Sequence, residues 1–371
     1  MTVTIVGAGI VGCAIAYELA SRGIRVRVID ARGAGLGATR ASAGMLAPHL
    51  EGHVAPLLAL GIRSLGMYDE FIRRVTADSG HAIEYERTGT LQVARTAAEA
   101  ADLCTAARAL ATAGVGHMLL DAHQTRQMEP ELATDVAASL HVSEHAYVAA
   151  VPLTHGLLAA AAKHGAEMIT AQVTAIESGD GPRVLTSSGA FDADAVIIAA
   201  GTWSDDVSGP IDAGSARRNP ARTTVKPIRG QLIRLRLASR VASRVIWGNR
   251  CYLVPWRDGS VLVGATSEDV GFDETATASG VRYLLEASAE LLPVLHGAAF
   301  DGVRVGLRPM TRDELPAIGP SSTMRNVFYA TGHYRNGVLL APLTAALVAD
   351  LVLDGGRSPE LALVRPDRLG L

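Results

Sequence analysis

Three glycines spaced Gly7-x-Gly9-x-x-Gly12 stand between an apolar run, Thr2 to Val6, and Cys13 to Arg22, whose apolar spacing is helical. Gly23 follows as a helix stop, and Arg25 to Ile29 reads as a second strand ending at the carboxylate of Asp30. Strand, glycine turn, helix, strand and acid make one βαβ unit, and the chemistry of such a unit is dinucleotide binding. Gly7 permits the tight turn. Gly9 lets the backbone approach a pyrophosphate, which then sits on the helix N-terminus, and Gly12 lets the helix pack closely on the strand. Asp30 is placed to accept a hydrogen bond from a ribose hydroxyl. A carboxylate there disfavours a 2′-phosphate and hence NADP; FAD and NAD remain.

The elements around this unit narrow the choice. Ala31 to Leu46 is a run of small residues suited to a backbone pressed against an extended cofactor, where an NAD dehydrogenase would return to another βαβ unit. Asp194 to Gly201 and Asn326 to Gly332 are apolar strands ending in small residues. After the second, a loop leads into a helix expected from about Val338. The positive end of that helix is suited to stabilise a reduced, anionic flavin. Gly230 to Leu237, Cys251 to Pro255 and Val261 to Gly264 read as antiparallel strands, and Ala97 to Ala113 as a helix whose Ala-rich face is core.

Composition excludes several classes. With 371 residues the chain suits about two domains. It is 49% hydrophobic and 19% charged, so it can bury a large core. A net charge of −3 gives no global basic field for nucleic acid. Cys13, Cys104 and Cys251 form no C-x-x-C pair, which speaks against a disulfide framework and a thiolate zinc site and fits a reducing cytoplasm. The first strand begins at Thr2, and the longest apolar stretch, 338–353, is short and contains Asp350, so neither a signal peptide nor a membrane span is expected. All but two of the 34 cationic side chains are arginine, which weakens any single arginine as a functional signal. From Ala213 to Arg257 there are eleven cations and no acid; the block could steer anionic substrates or an acidic carrier protein, or be a solvated face balanced by carboxylates elsewhere. His141-Val142-Ser143-Glu144-His145 matches a zinc pattern that needs a helix, but the segment reads as extended, so no metal is expected.

Beyond the glycine motif, seven stretches in order along nearly the whole chain carry a resemblance. They are Gly7–Gly12, Ser42–Pro48, Ala199–Ser204, Cys251–Pro255, Val263–Thr266, Gly306-Leu307-Arg308-Pro309, and Gly332–Gly337 with Leu340-Ala341-Pro342. Together they resemble the D-amino-acid-oxidase-like flavoenzymes, most closely their glycine oxidase branch. The resemblance implies a mixed α/β and α+β fold: a glutathione-reductase-type, Rossmann-like FAD domain with an antiparallel-sheet substrate domain. The expected FAD part is 1–80, 145–222 and 302–371, and the expected substrate part 81–144 and 223–301. FAD is expected without a covalent bond, since no cysteine lies near Gly306–Arg308. The cofactor contacts it implies are Gly7, Gly9, Ile10, Val11, Gly12, Asp30, Ala31, Ala38, Thr39, Ala43, Gly44, Met45, Val173, Gly201, His333, Tyr334, Arg335, Asn336, Gly337, Val338 and Leu339.

Amino-acid oxidation needs a cation to hold the substrate carboxylate and a Cα–H facing the flavin; the flavin does the redox work. Arg308 is the expected bidentate carboxylate clamp and Tyr252 its hydroxyl partner, both catalytic positions by resemblance. Arg335 and Met45 are further substrate contacts. Two departures from the glycine oxidase pattern stand out. Arg250, two residues from Tyr252 on an expected strand, would share its face, where a related oxidase has histidine. Ser267 replaces a bulky methionine. An added cation and extra room suit an N-carboxyalkyl amino acid such as iminodiacetate.

The expected function is therefore FAD-dependent oxidative deamination of glycine or an N-substituted glycine such as sarcosine. Hydride passes from Cα to flavin N5, the imine hydrolyses, and O2 becomes H2O2. A cytoplasmic homo-oligomer acting on a small carboxylated amine, without nucleic acid or membrane, is expected. The alternatives are a same-fold dehydrogenase that passes electrons to a protein or quinone, a non-catalytic FAD-binding subunit, and an NAD dehydrogenase.

Overall fold

The computed structural model describes residues 1–50, 54–178, 181–207, 224–356 and 358–371. Two large sheets organise them. The first has six strands in the order Ala317–Pro320, Val327–Thr331, Ala195–Ile198, Thr2–Val6, Arg25–Asp30 and Glu167–Thr170. All its pairs are parallel except Ala317–Pro320 against Val327–Thr331. Its strands read as continuous apolar runs because both faces are covered. On one face the helices Ile10–Ser21, Ala150–Lys163 and Ala341–Asp354 share a core with Val3, Ile5 and Ile197, and the long helix Ala55–Ser79 joins the same core. On the other, the antiparallel strands Val173–Glu177, Arg183–Thr186 and Gly189–Asp192 place Val173 and Val184 against Val6, Val196 and Ile198.

The second sheet has eight strands in the order Ala299–Met310, Lys226–Arg236, Ser260–Gly264, Tyr252–Pro255, Val245–Trp247, Thr90–Ala94, Ala138–Val142 and His117–Asp121. Only Val245–Trp247 and Thr90–Ala94 pair in parallel. Strand alternation divides it cleanly. Ile233, Leu235, Leu253 and Val263 pack with Leu284 of the helix Ala278–Leu291. Leu232, Val254 and Leu262 point to the opposite face with Tyr147 and Trp256. Two cavities lie on that second face.

The expected βαβ unit and the strands around it are present. The helix expected over 97–113 runs Ala97–Thr112, closed by a Thr96/Glu99 capping box and burying Leu103, Ala107 and Leu110. Three expectations move. The helix expected from about Val338 begins at Ala341, with Pro342 in its first turn and residues 337–340 forming a turn ahead of it. Residues 302–310, assigned to the FAD part, remain hydrogen-bonded to Lys226–Arg236 in the eight-stranded sheet. Cys251 and Arg250 lie before the strand Tyr252–Pro255, not on it. The boundary expected at 222/223 lies outside the described residues. Cys13, Cys104 and Cys251 are free, and among the described residues no helix is long and apolar enough to cross a membrane.

Candidate active site

A cavity of about 730 Å³ runs from the glycine turn to the eight-stranded sheet. At one end the left-handed Gly7 (φ 109°) lets the chain turn against the neighbouring strand; a Cβ there would sit 2.4 Å from the Ala199 carbonyl oxygen. Gly9 precedes the helix Ile10–Ser21 with no side-chain cap. The Ile10 amide donates to Thr39 Oγ1 at 3.1 Å. Amides of a helix's first turn have no intrahelical acceptor, so Val11, which lines the cavity, presents its N–H at a site built for an anion. Asp30 accepts from the amides of Ala8 (2.8 Å), Arg32 (2.7 Å) and Gly33 (2.9 Å), which fix its carboxylate at the cavity wall.

At the other end Arg308 and Tyr252 line the cavity from strands separated by Lys226–Arg236 and Ser260–Gly264. Both depend on missing side chains. A Cβ on Gly230 would meet the Arg308 guanidinium at 2.4 Å, and one on Gly264 would meet the Tyr252 ring at 2.4 Å. Arg308 Nη1 donates to the carbonyls of Thr266 (3.0 Å) and Arg229 (3.4 Å), which orient the guanidinium. Among the described residues Arg308 has no carboxylate partner. Tyr252 stacks on Trp247 with ring centroids 5.4 Å apart. This end can bind a carboxylate against a planar apolar wall.

Of the expected site residues, Gly7, Gly9, Ile10, Val11, Asp30, Ala31, Ala38, Thr39, Ala43, Gly44, Met45, Val173, Gly201, His333, Tyr334, Arg335, Gly337 and Val338 line the cavity, with Tyr252, Ser267, Arg250 and Arg308. Gly12, Asn336 and Leu339 do not line it. Gly12 faces the Gly7 carbonyl oxygen, 2.0 Å from where its Cβ would be, and so serves helix packing. Asn336 is buried, its amide on the His333 carbonyl and its carbonyl accepting from Leu340. Leu339 is core, its carbonyl accepting from Ser64 at 2.7 Å. Arg250 departs from its expectation: it forms an ion pair with Glu290 and lies 4.9 Å over the Tyr283 ring, so its charge is already answered. His333 is buried and hydrogen-bonded to Thr344 Oγ1 at 3.0 Å. Burial lowers its pKa to about 4, leaving it neutral at physiological pH and unsuited to storing a proton as imidazolium.

The cationic segment resolves into ordinary pairing. Every described cation from Lys226 to Arg257 has a carboxylate partner, among them Arg229 with Glu268 and Asp273, and Arg244 with Glu129. The first three cations of that block lie outside the described residues. The 141–145 motif is strand and turn, with His145 bonded to Thr90 and His49; among the described residues no cluster could hold a metal.

Two supports were not visible in the sequence. Arg229, 5% exposed, holds Glu268 (2.6 Å) and Asp273 (2.5 Å), and Glu268 accepts from Thr266 (2.6 Å) and Gln231 (2.7 Å). This network sets the 265–275 loop and, through the Thr266 carbonyl, Arg308. Arg32 lies 4.3 Å over Trp203 and pairs with Glu274 at 2.8 Å, tying the same loop to the turn after Asp30.

Comparison with known proteins joins the two ends of the cavity. A family model described as FAD dependent oxidoreductase matches residues 2–351. This chain is a member of that family. The glycine oxidase of Geobacillus kaustophilus is 35% identical over 94% of this chain and 92% of its own. Its crystal structure superposes with a TM-score of 0.89 at 34% identity, covering 96% and 95% of the two chains. Iminodiacetate oxidase (IdaA) from Chelativorans sp. BNC1 superposes with a TM-score of 0.86 at 28% identity, over 99% and 98%. The "Bifunctional protein ThiO/ThiG" of Synechocystis sp. is 34% identical over 99% of this chain, which spans only 54% of that relative. Members of the FAD dependent oxidoreductase family bind FAD, and the cavity's glycine turn, fixed acid and open helix end fit that cofactor. The expected fold and the enzyme class, a FAD-dependent amino-acid oxidase, are borne out by these relatives.

Proposed function

We propose that this enzyme oxidises glycine or a small N-substituted glycine such as sarcosine, with O2 as electron acceptor. The observation that carries the proposal is Arg308: it lines the cavity without a carboxylate partner among the described residues and is pre-oriented by two carbonyls. A planar guanidinium so placed takes a carboxylate in two parallel hydrogen bonds. Tyr252 presents its hydroxyl and ring to the same ligand. Holding the carboxylate there leaves the substrate's Cα and nitrogen toward the middle of the cavity, a positional effect rather than acid–base chemistry.

FAD supplies the two-electron acceptor for the Cα hydride. The α-imine left behind takes up water and releases glyoxylate and ammonia or the corresponding amine, and O2 takes the two electrons and two protons as H2O2. We assign Gly7, Gly9 and the Val11 amide to the pyrophosphate and Asp30 to the ribose. The first sheet and its helices form the FAD part; the eight-stranded sheet, through Met310, forms the substrate part.

A second reading has support of its own. Ser267 is exposed at the rim and Arg250 lines the cavity, which would admit a substrate with a second carboxylate if Arg250 were released from Glu290. The test is anaerobic mixing of the purified enzyme with glycine, sarcosine, D-alanine, D-proline and iminodiacetate, followed at the flavin's visible band. Bleaching by glycine and sarcosine, with O2 uptake and peroxide on re-aeration, is the expected result. Bleaching by iminodiacetate alone favours the second reading. Bleaching without O2 uptake would make the enzyme a dehydrogenase, and no bleaching by any amine would overturn both readings.

A further inference from the structure

A second cavity, also about 730 Å³, lies on the same face of the eight-stranded sheet. Alternation places it. Along Ala299–Met310 the residues Arg304, Gly306 and Arg308 share one face, opposite Leu232, Gly230 and Ile228. Arg308 lines the first cavity and Arg304 the second, about 13 Å further along at ~3.3 Å per residue. Gly306 marks the divide. A Cβ there would lie 2.7 Å from Ala41 Cβ and 3.2 Å from Ala38 Cα, so the turn Ala38–Ala41 is pressed onto the sheet at this point. Ala38 and Thr39 of that turn line the first cavity, and Arg40 lines the second.

The charges of the second cavity are equal in number but not all paired with one another. Arg40, Arg234 and Arg304 line it, with Glu84, Asp258 and Glu274. Two of the acids are held by arginines, one of them a residue of the cavity itself, and the third accepts from a backbone amide. Asp258 is held by Arg234 (2.8 Å) and Arg236 (3.3 Å), Glu274 by Arg32 (2.8 Å), and Glu84 accepts from the Arg257 amide (3.0 Å). Arg234 is shared further with Asp301 (3.2 Å). Among the described residues Arg40 and Arg304 have no carboxylate partner, and Arg304 makes one long hydrogen bond, 3.5 Å, to the Arg40 carbonyl. Burial and the nearby Arg234 push the Arg304 guanidinium below its ordinary value, against the opposing pull of Asp301. A half-buried cation with no carboxylate bonded to it is a place where a counter-anion is favourable, and a guanidinium suits planar or tetrahedral oxyanions.

We propose that this second cavity binds a small oxyanion-bearing metabolite, of the carboxylate or phosphate class, between Arg304 and Arg40. The inference is independent of the substrate assigned above. Its test is calorimetric titration of the flavin-loaded enzyme at low ionic strength, with inorganic phosphate in one arm and succinate in the other. Saturable binding is expected in at least one arm. It should persist in Arg308→Met and weaken about tenfold or more in Arg304→Gln, the loss of one charge-assisted hydrogen bond. Binding of phosphate only identifies a phosphorylated ligand, and of succinate only a carboxylated one. Arg40→Gln, at an exposed position, gives the same readout if the Arg304 variant fails to fold. No saturable binding in either arm, or equal binding by the wild type and the folded variants, would overturn the site.

Discussion

At the scale of single residues, the proposed site turns on one arginine with no carboxylate partner among the described residues and another that has one. Among the described residues Arg308 has only carbonyl partners, so Arg308→Met removes a ligand contact without stranding an internal acid. We expect kcat/KM for glycine to fall about 10²- to 10³-fold, in line with roughly 3–4 kcal/mol for a buried charge-assisted pair, while the protein stays yellow. Steady-state kinetics and the visible spectrum check this together. Arg250 is the converse: its charge is held by Glu290. Glu290→Gln should therefore raise kcat/KM for iminodiacetate several-fold and leave that for glycine unchanged; equal effects on both would remove Arg250 from specificity. The placement of Arg308 and Tyr252 on one cavity was legible in the sequence because their glycine-rich neighbours are part of the motif. Arg250 lines the cavity with Tyr252, but its place before the strand and its pairing were not legible, because its partner is 40 residues away on the helix Ala278–Leu291.

At the scale of elements, the βαβ unit, the apolar strands of the first sheet and the helix Ala97–Thr112 were legible because local pattern and tertiary burial agree. Where they differed, long-range packing decided. Residues 302–310 look like an approach to the FAD part, yet they pair with Lys226–Arg236 along their whole length. The support of Arg308 was hidden for the same reason: Arg229, Gln231, Thr266, Glu268 and Asp273 meet only when two strands and a loop are folded together. Removing the buried member strands the two acids. Arg229→Met should cost about 2 kcal/mol, less than a fully buried pair because Asp273 and Glu268 are partly exposed. Thermal denaturation should show that loss together with a raised KM from the displaced Thr266 carbonyl; a loss of stability with unchanged KM would confine the network to structure.

At the scale of the whole molecule, burial of neutral histidines gives stability a pH dependence. His333 is lowered to about 4 by burial. His145 is lowered to about 3 by burial and by the nearby His49, His141 and Arg87. Both titrate near 6.5 once unfolded, so the unfolded chain gains protons that the folded one refuses. Stability from these rings is complete above pH 6.5 and declines as pH falls toward their folded values. Tm measured between pH 7 and pH 4 should drop, and His145→Gln should flatten the slope; an unchanged slope would mean that other groups dominate. In the proposed reading the chemistry spans both sheets, with the cofactor anchored on one and the carboxylate clamp on the other. The claim that joins them is that the enzyme selects its amine by the carboxylate Arg308 holds. The most direct measurement compares peroxide production from glycine and from methylamine, the same amine without its carboxylate, by the wild type and Arg308→Met. The account predicts a strong preference for glycine in the wild type that collapses in the variant, and a preference that survives in Arg308→Met would contradict it.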